Sequence, residues 1–515
     1  MRKVLQKYLY GFFATVLLAA VFIMILKTVQ GSTVSFYVDT DDISCEISVY
    51  DAGNGENYIF LPSYAKLEDI GVSLPGNIRA SLNGIPLENG MTCGKFELNR
   101  PYDFIVNDAV SQKLTFLKSK NVATMYIDTP NESMEQVHRD KDNMEYADIT
   151  LFTAEGILDF RGEGCGIKGR GNATWSQDKK PYTIVLPRET NLMGMGDASK
   201  WVLLANSMDE SNLHNKIVFD FAREVTGLWI PDCVYVDVYL NGNYNGLYLL
   251  CEKVEVADGR LELDTESGDF LGCVEINSRW DVLKDPFISK MGRTIEISEP
   301  EVYTEEQKQR IQNRVDMLEK IISSGMDLQR ECDIDQGSWI DRYLIDEIFA
   351  NIDSDLCSSY FYSKDGVFYA GPLWDYDMVL GNRIRNINAN SFVAKNVYKS
   401  TTDASLYNGI LYQNEGFYTQ MVNTYKEKYL PVLQNFMDYP IVASALTGIN
   451  AIVCALLSHT VITLGKKSLV NVISVVLFII GLIACFVFDI TPILLVIFGG
   501  VVGVVYNKIK EVKAK

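Results

Sequence analysis

Apolar residues gather at the two ends of this 515-residue chain, and that segregation limits what the remainder can fold into. Residues 8 to 29, YLYGFFATVLLAAVFIMILKTV, form a run of spanning length behind Arg2, Lys3 and Lys7. The run reads as an uncleaved anchor rather than a signal peptide, because Lys27 to Ser32 offers no small-x-small cleavage site. The basic flank keeps the N-terminus in the cytoplasm and sends the chain beyond the anchor outward. At the other end, Ile441 to Leu464, Leu469 to Phe488 and Pro492 to Tyr506 are apolar, while Gly465-Lys466-Lys467 and Lys508 to Lys515 are basic. Three spans would place both basic segments inside; two spans and an interfacial segment are the alternative.

Between these ends lies an acidic polypeptide. The formal charge is −19, and with residues 1 to 31 and 439 to 515 each at +4, residues 32 to 438 carry −27. That balance opposes nucleic-acid binding and suits solubility and cation binding. The ten cysteines make no disulfide scaffold in a chain of this size, though Cys45 and Cys93 are candidates for a bridge. With no CxxC, no HExxH and three histidines, zinc chemistry and a Ser-His-Asp triad are not expected.

Residues 33 to 118 alternate in short runs such as Val34-Ser35-Phe36-Tyr37-Val38 and Glu46-Ile47-Ser48-Val49-Tyr50, which predicts a small antiparallel β-sandwich serving as a spacer or weak binding module. From Lys120 the texture changes. A Gly-rich segment, Gly162 to Gly171, leads into Lys168, Arg170, Lys179 and Lys180, a pattern that fits phosphate as well as it fits structural turns. After the start signal Asp209-Glu210-Ser211, a helix carries Leu213, Ile217, Phe221 and Val225 as its apolar stripe, with Lys216 and Arg223 snorkelling beside it. Asn241-Gly242 predicts a tight hairpin whose second strand ends at Glu252 and Lys253. Amphipathic helices are predicted over Glu305 to Gly325 and Ile340 to Phe349, the second with Trp339, Tyr343, Ile345 and Phe349 in the core.

That second helix delivers Asn351-Ile352-Asp353-Ser354-Asp355, and the hairpin beyond it delivers Gly371-Pro372-Leu373-Trp374-Asp375-Tyr376-Asp377. Residues two apart on a strand share a face, so Asp375 and Asp377 are expected to point the same way. Like charges that close favour a hard divalent cation such as Mg²⁺; a solvated strand end is the alternative.

The order GRGNATW, KKPYTI, WVLLANSMDESNLHNK, VDVYLNGNYNGLYLLCE, NIDSD and GPLWDYD resembles the CotH kinase family, the spore-coat-protein-H-like atypical kinases, over about residues 120 to 437. The resemblance implies a divergent two-lobed protein-kinase-like domain at 120–438; with the β-sandwich-like domain read at 32–119 and the transmembrane helices read at both ends, the chain is expected to be α+β. The resemblance also implies transfer of the ATP γ-phosphoryl group to Ser or Thr of secreted or surface proteins, with ATP and Mg²⁺, or Mn²⁺, as cofactors. Asp353 matches the catalytic-loop aspartate that orients the substrate hydroxyl, and Asp375 the aspartate that holds the metal, with Asp377 and Asp355 as further metal candidates. The cofactor-binding candidates are Lys168, Arg170, Asn172, Lys180, Glu252 and Trp374, the last as an adenine platform or a core residue. Ser358 departs from the pattern, standing five residues after Asp353 where kinase loops commonly carry a metal-binding Asn. A catalytically inactive kinase-fold surface protein therefore stays open beside the active kinase.

The tail, in ALTGINAIVCALL, LGKKSL and ITPILLVIFGGVVGVVYN, resembles the end of a chromate transporter. As a fragment it lacks the partner helices of a transport pathway. A fusion, recombination or assembly artefact joined near Met437 to Tyr439 is expected rather than transport.

Overall fold

Alternation of apolar and polar residues sets the first layer. A computed structural model describes residues 34–40, 43–275, 283–325, 333–380 and 407–437. In strand β2 (Ile43–Ser48), Ile43, Cys45 and Ile47 are buried while Ser44 and Glu46 are exposed, which commits one face to a core. With β1 (Ser35–Thr40) and β5 (Ile70–Ser73) it forms a sheet ordered β2-β1-β5. Facing it are β3 (Tyr50–Asp51), β4 (Glu56–Leu61), β6 (Ala80–Leu82), β7 (Ile85–Pro86), β8 (Pro101–Val106) and β9 (Gln112–Lys118), ordered β3-β4-β9-β8-β6-β7. Phe36, Ile47, Ile59, Leu82, Leu114 and Phe116 fill the space between. The sandwich is not wholly antiparallel as the sequence suggests, since β4 and β9 run parallel. Cys45 and Cys93 are separate buried thiols rather than a bridge.

Next comes a closed barrel of β10 (Ala123–Asp128), β11 (Met144–Phe152), β12 (Leu158–Gly169), β13 (Tyr182–Asn191), β14 (Asp197–Leu204), β15 (Cys233–Leu240) and β16 (Asn243–Glu252). The order is β10-β11-β12-β13-β14-β16-β15, and parallel pairing of β15 with β10 closes the ring. Met125, Ile149, Ile167, Ile184, Trp201, Val236 and Leu250 fill its interior. Asn241 and Gly242 take φ of 50° and 72°, the left-handed pair that a two-residue hairpin turn requires. The helices α1 (Glu135–Arg139) and α2 (His214–Val225) interrupt the strand sequence.

The sandwich is docked on this barrel. Tyr126, Phe152 and Tyr239 turn outward into the sandwich core, Tyr126 stacks on Tyr239 with centroids 4.8 Å apart, and the Tyr239 hydroxyl donates to the Phe60 carbonyl at 2.8 Å.

Beyond the barrel, β17 (Phe270–Glu275), β18 (Phe287–Ile288), β19 (Thr294–Glu299), β20 (Ser359–Lys364) and β21 (Val367–Ala370) form a sheet ordered β18-β19-β17-β20-β21. With it belong α3 (Glu305–Ser323), α4 (Gln336–Ile348), α5 (Tyr407–Gln413) and α6 (Glu415–Thr424). Thr304 and Gln307 form a capping box at the start of α3, and the Asp335 carboxylate takes the Ser338 amide at 2.7 Å to start α4. Residues 1–429 form one compact unit and 430–515 another, of which helix α7 (Leu430–Met437) is described. No helix among the described residues is long and apolar enough to cross a membrane, and the expected spans at 8–29 and 439–515 lie outside those residues.

Candidate functional site

On the barrel side the site begins where β12 ends. Gly169 has no room for a side chain, since a Cβ there would stand 2.5 Å from the Trp175 ring and 2.8 Å from the Lys141 backbone. This close approach brings Lys141 beside the GRGN turn, where its ammonium donates to Asn172 Oδ1 at 2.9 Å and the Gly171 carbonyl at 3.4 Å. Arg170 leaves the same turn with its guanidinium 5.2 Å from the centre of the Trp374 ring. Burial lowers the proton affinity of Arg170, and the charges of Asp375 and Asp377 raise it again. The cation of the barrel thus sits within the field of the carboxylates that follow β21.

On the opposite side β21 stops at Ala370, so Asp375 and Asp377 do not lie on a strand and the alternation argument fails. The chain turns irregularly through Gly371 at φ 100° and Asp375 at φ 67°, a left-handed conformation that Asp adopts more readily than most side chains. The two carboxylates are neighbours all the same. Desolvation, then Asp375, Asp353 and Asp209, push the Asp377 carboxyl up to about 8. Asp353 lies in the turn after α4, its amide donating to Asn351 Oδ1 at 3.1 Å and its carbonyl accepting the amides of Leu356 at 3.0 Å and Cys357 at 3.1 Å.

Both loops are fastened to one buried carboxylate. Asp346 of α4 accepts from Arg342 Nε at 2.5 Å, the Tyr376 hydroxyl at 2.7 Å, Asn351 Nδ2 at 2.9 Å and the Ser354 hydroxyl. It holds the Asp353 turn and the Asp375–Asp377 turn to the same helix.

Helix α2 fastens the second turn from the barrel side, a role that periodicity alone does not reveal. Its predicted stripe is displaced: Val218, Phe219, Phe221, Ala222 and Val225 are buried, while Leu213 and Ile217 are not. Phe219 stacks on Trp374 at 6.3 Å, and Asn215 Oδ1 accepts the Tyr376 amide at 2.8 Å. His214 Nδ1 donates to the Asp377 carbonyl at 3.0 Å, and its Nε2 lies 3.6 Å from Asp209 Oδ1. Asp209 also accepts the amides of Ser211 at 2.9 Å and His214 at 2.8 Å, capping the helix. The signal is present in Asp209-x-Ser211 but reads from sequence only as a cap. Lys216 and Arg223 pair with Asp220 at 2.6 Å and 3.2 Å, as helix-surface residues.

The structure therefore brings together Asp353, Asp375, Asp377 and Arg170, and leaves other candidates elsewhere. Lys180 donates to the carbonyls of Trp175 at 2.9 Å and Gln177 at 3.2 Å and ties its own loop. Glu252 is a buried partner of Arg260 at 3.4 Å and accepts the Asp232 amide at 2.7 Å. The Asp355 carboxylate accepts the Asn408 amide at 2.7 Å at the start of α5, a helix-capping role. Trp374 is covered by Phe219 and Arg170, which fits a core residue better than an adenine platform. Asn172 is exposed and holds Lys141, and the Lys168 side chain makes no ion pair or hydrogen bond among the described residues. Ser358 donates its amide to Glu275 Oε1 at 3.2 Å, placing a further buried carboxylate beside it.

The donor set is all oxygen, as a hard divalent cation requires. No three acidic, His or Cys groups among the described residues are arranged to cage a metal alone. A cavity of about 860 Å³ lies elsewhere, between α3 and the β20–β21 hairpin.

No curated protein matches the chain. The chromate transporter family model matches residues 428–504, over the tail that resembles it. The model of the CotH kinase protein family matches residues 167–452, more than half the chain and all the loops just described, and the chain belongs to that family.

Proposed function

We propose that this chain is a membrane-anchored, extracytoplasmic atypical protein kinase that transfers the ATP γ-phosphoryl group to Ser or Thr of secreted or surface proteins. The observation that carries this reading is the gathering of Asp353, Asp375 and Asp377 from two loops, with Asp375 and Asp377 in the field of Arg170 from the barrel, whose guanidinium lies over Trp374. Phosphoryl transfer asks for positioning and charge neutralisation more than covalent chemistry. Asp375 and Asp377 would hold Mg²⁺, which when bound supplies the positive charge that screens the triphosphate. Arg170 and Lys141 face that charge from the barrel side, and Lys168 is a third cation near the same turn. Asp353 accepts or orients the proton of the attacking hydroxyl. Asp346, Asn215 and His214 keep the turns in place.

The test is incubation of the full chain with γ-labelled ATP, Mg²⁺ and a Ser-rich acceptor protein. Asp353→Ala and Asp375→Ala should each lower labelling by about 100-fold or more, the scale of a lost catalytic group. Metal-dependent labelling that survives both substitutions would sink the site assignment. A second reading, a catalytically inactive kinase-fold surface protein, draws on Ser358 and is favoured by an absence of ATP binding. Protease accessibility of residues 32–438 on intact cells tests the topology, and cleavage only after lysis would overturn it.

A further inference from the structure

Strands β15 and β16 place two cysteines face to face. Cys233 is the cross-strand partner of Cys251 in their antiparallel register. The Glu252 amide donates to the Asp232 carbonyl at 3.0 Å, which makes 232 and 252 a hydrogen-bonded pair. By alternation 233 and 251 are then a non-hydrogen-bonded pair, the kind with the closer Cα separation of about 4.5 Å and the closer side chains. That separation lies inside the range a disulfide spans. Both side chains leave the barrel on its outer face, since Val236, Tyr248 and Leu250 occupy the interior positions. Both thiols are buried and reduced in this structure, and the Cys251 thiol donates to the Leu249 carbonyl at 3.7 Å.

We propose that Cys233 and Cys251 are a redox pair that closes to a cross-strand disulfide at the open end of the β15–β16 hairpin. The reaction is thiol–disulfide exchange. A thiolate of the pair attacks an oxidised low-molecular-weight disulfide such as oxidised glutathione, forming a mixed disulfide and releasing one reduced thiol. The second cysteine then displaces the other, so two protein thiols are oxidised, one external disulfide is reduced to two thiols, and the two protons leave with them. Burial holds the Cys251 thiol well above its usual range, while Arg170 and Lys216 favour its thiolate. Exchange therefore proceeds during folding or when the hairpin end frays, where the sulfurs meet water. Once closed, the bond fixes the strand end beside Arg170, one residue before the barrel gives way to the chain leading into the second lobe. The inference rests on the barrel geometry and not on the phosphotransfer reading.

The sequence supplies a clean readout, because Arg223 and Lys253 bound a tryptic peptide that holds Cys233 and Cys251 and no other cysteine. The full chain is equilibrated with excess oxidised glutathione in urea below the unfolding transition, quenched by alkylation in denaturant, and digested. The expected peptide 224–253 is two hydrogens lighter and unalkylated, and takes two alkyl groups only after reduction. Chymotryptic cleavage within it should yield fragments that stay joined. In thermal melts the oxidised wild type should unfold at higher temperature than the reduced, while Cys233→Ser and Cys251→Ser should not respond to oxidant. Recovery of the peptide with two alkyl groups, or with glutathione on either cysteine as the end product, would overturn the proposal.

Discussion

Two buried carboxylates, Asp346 and Asp377, sit at opposite ends of the same hydrogen-bonded turn system and live in contrasting surroundings. Asp346 receives a guanidinium, an amide and two hydroxyls, so every lone pair that burial takes from water finds a donor. Asp377 is nearly as buried but faces Asp375, Asp353 and Asp209, and holds its proton to about 8. The first arrangement is complete within the protein; on the proposed function the second would be completed by a bound cation. That reading assigns fold stability to one aspartate and ligand affinity to the other, with Tyr376 between them.

The sharpest way to break this contrast is at the satisfied end. Asp346→Ala leaves Arg342 buried without its partner and releases both turns, so chemical denaturation should register a loss of about 3–5 kcal/mol. An unchanged denaturation midpoint would show that Asp346 is no hub. At the frustrated end the sign reverses. An acid whose pKa is raised on folding binds its proton more tightly in the native state, so stability falls as pH rises from about 4 through about 8. Asp377→Asn removes that penalty and should stabilise the metal-free protein at pH 8 by about 1–2 kcal/mol, with little change at pH 4. Mg²⁺ should raise the melting temperature of the wild type more at pH 8 than at pH 6, and that of the variant less than the wild type at either pH. Glu347 offers a smaller control away from the site. It is half-buried, one carboxylate oxygen has no donor among the described residues, and desolvation followed by Asp346 raises its pKa to about 7. Glu347→Gln should therefore add about 1 kcal/mol at pH 8 and nothing at pH 4, without altering the response to Mg²⁺. Smallest of all is the contrast between two neighbouring cations. Lys168→Met should weaken nucleotide binding a few-fold at unchanged stability, whereas Lys180→Met should lower stability by about 1 kcal/mol through lost carbonyl contacts and leave affinity alone.

How much of the fold and the site is legible in the sequence depends on how local each cause is. Thr304 with Gln307, and Asn241-Gly242, act within four residues, and the helix start at Glu305 and the hairpin turn are where the sequence puts them, whereas the Asp335 cap starts α4 at Gln336, four residues before the Ile340 that apolar periodicity predicts. Strand alternation pairs Asp375 with Asp377 for a reason the fold does not use. They are neighbours instead through a left-handed turn held by Asp346 and Asn215, contacts that cross 30 and 161 positions. Composition cannot tell Arg170, Lys179 and Lys180 apart. Lys179 donates to the Ala205 carbonyl and Lys180 to its own loop, while Arg170 enters the field of Asp375, because Gly169 and Gly171 let the backbone turn there. Glu252 reads as a cofactor-binding candidate and is half of a buried ion pair, because Arg260, eight residues on, returns to it. A one-dimensional reading finds which residues carry charge; which of them remain available is decided by contacts at long range.

The tyrosine seam between sandwich and barrel has a practical consequence for anyone trimming the gene. The family match begins at Ile167, inside β12, so cutting there would delete β10, β11 and most of a third stave, and with them the parallel pairing that closes the ring. A cut at residue 120 keeps the ring but uncovers Tyr126, Phe152 and Tyr239, which the sandwich now shields. Such a fragment would present a sticky aromatic face to its own copies. The smallest piece worth expressing for a test of the proposed phosphotransfer therefore begins before β1, and the sandwich travels with the family domain as part of its solubility.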